Sequence, residues 1–123
     1  MTKDNVFLIG KVDERIYKFL PVLRKYSSVY QSDGLIKHIQ KRHPDCVKYL
    51  SELPSIISSP DYIGVNPNES GTSFELVKIF DDNMQVGIKL DAKNDYLYVA
   101  TLHAITDAKL SHRIASNRLK PVT

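Results

Sequence analysis

Two-residue alternation over residues 74–103 constrains this chain more than any other feature, because side chains that repeat with period two belong to strands. Phe74, Leu76 and Phe80, then Met84, Val86, Ile88 and Leu90, then Tyr96, Tyr98, Ala100 and Leu102 form the apolar set, with Lys78 its one charged member. Asp81, Asp82 and Asn83 are a turn signal, with Asn83 suited to positive φ, and a second turn runs from Asp91 to Asp95. The stretch reads as two hairpins. In the register these turns set, Glu75 faces Lys89, Lys89 faces Leu97, and Gln85 faces Thr101. Glu75, Lys89, Thr101 and His103 then gather on the face that the apolar set leaves free. A carboxylate, an ammonium, a hydroxyl and an imidazole on one face can transfer protons and bind phosphate.

At 123 residues the chain is long enough for one domain, 1–123, to build a core without disulfides or metal. Residues 5–12 suit a strand or an extended arm, Asp13 caps a short helix over 14–20 that Pro21 interrupts, and residues 29–31 suit a strand. Ser32 and Asp33 start a helix carrying Leu35, Ile36 and Ile39, which ends before Pro44 because a pre-proline residue avoids the α region. Pro44 and Asp45 open a second helix that runs through Ile57 and closes at Ser58, Ser59 and Pro60. A strand over 61–65, a loop over 66–72 and a last helix near 106–119 complete the order. Helices first and antiparallel strands after them predict an α+β fold, with helices layered on one sheet.

Apolar and charged contents of 42% and 25% are those of a soluble globular chain. No apolar run is long enough to span a bilayer, and the first residues lack the apolar stretch of a signal peptide, so no membrane partner is expected. The lone cysteine, Cys46, excludes an internal disulfide and fits a reducing compartment; it reads as a small apolar residue. The net charge of +3 is unevenly placed. Lys37, Lys41, Arg42 and Lys48 form one basic block, and Lys109, Arg113, Arg118 and Lys120 form another, around an acidic hairpin region. A cleft for a polyanion has this pattern, and so do solvated helix faces.

His38 and His43 stand five residues apart, so on an ideal helix they diverge by about 140° and make a poor metal pair. His43, before proline, is placed to cap the last helical carbonyls, and His38 adjoins Ile36 and Ile39 as a buried histidine would. In the last helix Ile105, Ala108, His112, Ala115 and Leu119 make an apolar stripe, which puts His112 in a semi-buried position. Lys109 and Arg113 share another face with Ser116, and Arg118 follows; this group suits phosphate contacts or a merely solvated basic face. No phosphate-cradling glycine loop, serine-nucleophile elbow or zinc cysteine set is present.

The run from Leu35 through His38, Arg42, His43 and Pro44, then Pro60, Asp61, Tyr62, Ile63 and Gly64, then Glu75 to Lys78, resembles a known group of domains. Leu97 to Thr101 and the tail from Lys109 through Arg113 and Ser116 to Arg118 belong to the same likeness. The group is the phage-associated barnase–EndoU–colicin–RelE-like (BECR) nuclease family of phage polyvalent proteins and mobile elements. The resemblance covers residues 28–120, leaving 1–27 as an N-terminal extension. It implies N-terminal helices packed on a four-stranded antiparallel sheet, with a C-terminal helix. It also implies a ribonuclease that uses no metal or other cofactor, toxin-like or phage-encoded, in the cytoplasm of a bacterium or phage-infected host. The partners it implies are RNA, tRNA among the candidates, and an antitoxin or immunity protein. The family pattern matches His38, Arg42, His43, Thr101, Arg113 and Arg118; Lys89 and Glu75 fit by geometry; and Asn117 stands where a glycine is expected.

RNA cleavage by attack of the 2′-hydroxyl on the adjacent phosphate needs a base, an acid, and cations for the charge developing on phosphorus. His38 is expected to serve as acid or base, with His43 second; Thr101, Lys89 and Arg113 act at the phosphate, while Arg42, Arg118, Lys109 and Glu75 bind substrate. The rival expectation is an inactive module of this fold that binds RNA or a host protein.

Overall fold

A computed structural model describes residues 6–18, 25–65, 73–91 and 93–122; the expected loop at 66–72, Leu20 and Pro21 lie outside them. Its strands are β1 (Val6–Lys11), β2 (Ser28–Ser32), β3 (Tyr62–Gly64), β4 (Ser73–Ile79), β5 (Asn83–Asp91), β6 (Tyr96–Ile105) and β7 (Leu119–Pro121). Its α-helices are α1 (Asp33–Arg42), α2 (Leu53–Ser58) and α3 (Asp107–Ala115). The strands form one seven-stranded sheet in the order β1-β2-β6-β5-β4-β3-β7. The α+β class therefore holds, but the expected four-stranded antiparallel sheet does not. The sheet is wider, and it is mixed because β2 runs parallel to β6.

The central hairpins form, with a register different from the expected one. Glu75 faces Gly87, Lys89 faces Ser73 and Tyr98, and Gln85 faces His103. Asn83 accounts for the first shift. Its amide donates to the Ile105 carbonyl and to Asp107 at 3.2 and 2.7 Å, so Asn83 is held in β5 and the turn is made by Phe80, Asp81 and Asp82. Positive φ falls instead at Asp95, in the second turn. The second shift is a β-bulge: Gly87 faces Thr101 while Ile88 faces Val99, leaving Ala100 unpaired. The bulge reverses the alternation along β6. Leu97 and Val99 are buried, whereas Tyr96 and Tyr98, expected on the core face, are half-exposed on the other.

One face of the sheet carries the main core, in which Phe74, Leu76, Met84, Val86, Ile88, Leu97, Val99 and Leu102 pack with Leu35, Ile39, Leu53, Ile56 and Ile57 of the helices. Lys78 sits at its rim and donates to the Ser59 carbonyl at the end of α2, 2.6 Å away. Cys46 is buried in this core. The helix expected to run unbroken from Pro44 is a 3₁₀ stretch, Pro44–Glu52, followed by α2. Pro54 has no N–H to continue an i−4 ladder, so the chain restarts there with proline in the first turn.

Among the described residues the opposite face is covered only in part, by α3. Thr106 caps α3, its hydroxyl accepting from the Lys109 N–H at 3.1 Å. The helix ends at Ala115, short of the expected 119, because Asn117 takes φ 65° and turns the chain into β7. Asn117 thus supplies the left-handed residue expected of glycine there. Leu110 and Leu119 pack on Val77 and Ile105 as a second, small core. His112 is exposed, as are Ala108 and Ala115, so the expected stripe is not the buried face of α3.

Candidate active site

Because paired residues point to one side, β4, β5 and β6 present rows on the α3 face: Ser73, Lys89 and Tyr98; Glu75, Gly87 and Thr101; Val77, Gln85 and His103. The last row ends under α3 through Val77. Ser73, Lys89, Glu75, Gly87 and Thr101 of the other two, with Gln85 and His103 of the last, floor a cleft of about 280 Å³. Glu75, Gln85, Lys89, Thr101, His103, Arg113 and Arg118 line it. Gly87 at its centre leaves the space; a Cβ there would lie 2.6 Å from the Thr101 hydroxyl oxygen.

The two arginines arrive from α3 and from the turn that follows it. Arg113 donates to the Gln85 side-chain oxygen, and Arg118 donates to Glu75 Oε1 at 2.5 Å. Glu75 is only 7% exposed, yet its Oε2 has no hydrogen-bond partner among the described residues, and neither has Arg118 Nε. An open acceptor in a buried carboxylate is costly unless a ligand or solvent fills it. Burial, and then repulsion from Arg118, lower the Arg113 pKa from the ordinary guanidinium value.

His103 is the imidazole of the cleft. Burial first, then the neighbouring His43, Arg113 and Lys109, push its pKa down against the opposing pull of Glu75. The neutral ring is therefore favoured near neutral pH. His43 stacks on His103 with ring centroids 5.9 Å apart, and His38 meets His43 edge-on, also at 5.9 Å. These rings converge because His43 has left the helix (φ −137°, ψ 59°) while its N–H caps the Ile39 carbonyl at 2.8 Å.

Of the residues expected to form a site, Thr101, Lys89, Arg113, Arg118 and Glu75 line the cleft together. His38 and His43 are exposed and stand at its edge through His103. Lys109 lines a neighbouring cleft that shares Arg113 and Arg118. Arg42, exposed at the end of α1, lines neither. The sequence places His103 on this face by its alternation with Thr101, although it is not among the residues assigned to the site. Gln85 and Gly87 carried no signal of their own. Among the described residues no three His, Cys, Asp or Glu side chains gather to hold a metal ion.

A family model described as "phage-Barnase-EndoU-ColicinE5/D-RelE like nuclease3" matches residues 8–112. No curated protein and no solved structure matches the chain. No described helix is long and apolar enough to cross a membrane.

Proposed function

The chain belongs to the phage-Barnase-EndoU-ColicinE5/D-RelE-like nucleases, and on that premise we propose that it cuts RNA by attack of the ribose 2′-hydroxyl on the adjacent phosphate. The observation that carries the reading is the convergence of Arg113, Arg118, Lys89 and Thr101 with an imidazole and a half-open carboxylate in one cleft.

The scissile phosphate sits among the two guanidinium groups and the Lys89 ammonium, with the Thr101 hydroxyl donating to a phosphoryl oxygen. These groups neutralise the charge that builds as the phosphorus becomes five-coordinate. His103, favoured neutral by burial, takes the 2′-hydroxyl proton. Glu75 Oε2 accepts a hydrogen bond from the ribose, and its Oε1 holds Arg118 in place. As the new P–O2′ bond forms and the P–O5′ bond breaks, His43 gives a proton to the departing 5′-oxygen. The products are a 2′,3′-cyclic phosphate and a 5′-hydroxyl end. His38 orients His43 from the outer side. The order of the imidazoles thus runs inward from His38 to His103, with the innermost doing the work first expected of the outermost.

Incubation of the purified protein with total RNA in chelator tests this. Cleavage that leaves 2′,3′-cyclic ends and is abolished in His103→Ala and Arg113→Ala, both still folded, is the expected result. A DNA strand of the same sequence should survive, since it lacks the nucleophile. Intact RNA that is nevertheless bound would make this a binding module instead, and magnesium-dependent DNA cutting would defeat the mechanism.

A further inference from the structure

A second cleft, about 550 Å³, opens on the other side of the two arginines. Val65, Lys109, His112, Arg113, Ser116, Asn117 and Arg118 line it, and among the described residues no carboxylate does. A third and smaller hollow beside it adds Lys120, again against Arg118. Arg118 is therefore common to all three, and Arg113 to the first two. The C-terminal end of a helix normally repels an anion through its free carbonyls. Here three of the last four carbonyls are occupied: Ser116 N–H donates to that of His112 at 2.9 Å, Asn117 N–H to that of Ile114 at 3.1 Å, and Ser116 Oγ to that of Arg113 at 3.2 Å. What faces a ligand is then the cationic and polar ends of Lys109, Arg113, Ser116, Asn117 and Arg118, beside apolar surface that includes Val65.

We infer that the second cleft is a subsite for the phosphate next to the scissile one on a single-stranded RNA, with Arg113 and Arg118 shared between the two phosphates. The inference rests on the endoribonuclease reading for its substrate. Two adjoining clefts parted by a pair of guanidinium groups match a chain of alternating sugar and phosphate, because each arginine presents donors along more than one edge. The substrate class follows: an oligonucleotide with phosphates beyond the scissile one, in preference to a dinucleotide.

Equilibrium binding separates the two ideas, using fluorescence anisotropy with 2′-O-methyl oligonucleotides, whose nucleophile is blocked. The protein should bind a pentanucleotide at least about 10-fold tighter than a dinucleotide, and log K should fall more steeply with log salt, by about 0.7 for each added phosphate contact. His112→Glu and Ser116→Glu, both at exposed positions, should each erase that gain with length. Lys11→Glu, a charge-lowering control on β1 at the far end of the sheet, should keep it. A gain that persists in both cleft variants, or vanishes equally in the control, overturns the subsite. Binding of both oligonucleotides with equal affinity by the unaltered protein overturns it too, and leaves the cleavage reading standing. Binding of neither overturns both.

Discussion

At Gly87 the missing side chain is what keeps the Thr101 hydroxyl in the cleft, since the two positions face each other and a Cβ would come within 2.6 Å of the oxygen. The obstructing atom is the end of a rotatable side chain, so Gly87→Ala should turn Thr101 away at a stability cost of about 1 kcal/mol or less. RNA cleavage should fall roughly 100–1,000-fold, the range for removing one donor to a developing oxyanion. Thermal denaturation beside an initial-rate assay checks both halves; equal losses of fold and rate would refute the separation. His103 gives the second residue-scale expectation. Its folded pKa lies below the ordinary 6.5, so between those two values the unfolded chain binds a proton that the folded one does not. Stability is then fully retained above pH 6.5 and declines as pH falls through that window, and His103→Gln should flatten this part of a denaturant-midpoint profile. The acid limb of the pH–rate profile should also lie below pH 6.5. The site residues on strands were legible because Glu75, Thr101 and His103 occupy alternate positions of one period-two run. Which of them touch was not legible, since a register shift moves a partner without changing the alternation.

The bulge at Ala100 shows why alternation alone misread the second hairpin as an element. One unpaired residue reverses every side chain on the far side of it, so Tyr96 and Tyr98 trade faces with Leu97 and Val99, and nothing in the composition of the strand marks the place. Helix limits were more legible where a local signal marks them: Ser32 and Pro44 bracket α1, and the Thr106 cap opens α3. The end of α3 was missed because the termination signal is an asparagine in the left-handed region, which the periodic reading ran past. That turn sends Arg118 back toward Glu75 and lets Leu119 pair with Gly64, where a Cβ would lie 1.9 Å from the Arg118 carbonyl oxygen. Asn117→Gly should therefore be neutral or slightly stabilising, whereas Asn117→Val should cost about 1–2 kcal/mol, the penalty of a left-handed branched residue. Chemical denaturation of the two variants decides it. A valine variant as stable as the glycine one would mean that the turn does not depend on this conformation.

Across the whole molecule the sheet separates stability from chemistry. Its helix-covered face holds an extensive core that begins in β1 and β2 and runs through β6, β5 and β4, while the α3 face has a small one built around Val77, Ile105, Leu110 and Leu119. The pairings that widen the sheet, β2 to β6 and β7 to β3, are not legible in the sequence, because β2, β3 and β7 are too short to carry a period, but the division into an apolar and a polar face is. Its consequence is that α3, which carries Arg113 and leads to Arg118, should release before the rest unfolds. Leu76 is fully buried in the large core and Leu110 is buried in the small one. Leu76→Ala should cost about 2–5 kcal/mol and lower the cooperative transition of the entire sheet. Leu110→Ala should act differently: α3 loosens, the Arg113–Gln85 and Arg118–Glu75 contacts go with it, and RNA cleavage is lost several degrees below the temperature at which the sheet melts. Circular dichroism, cleavage rate against temperature, and exchange of the Leu110 N–H bonded to the Thr106 carbonyl report the three events separately. If activity and sheet structure disappear together in Leu110→Ala, the two faces form one cooperative unit and the small core does not govern the site alone. If activity goes first, the same thin core that makes α3 easy to release is what leaves the cleft beneath it open to a polymer substrate.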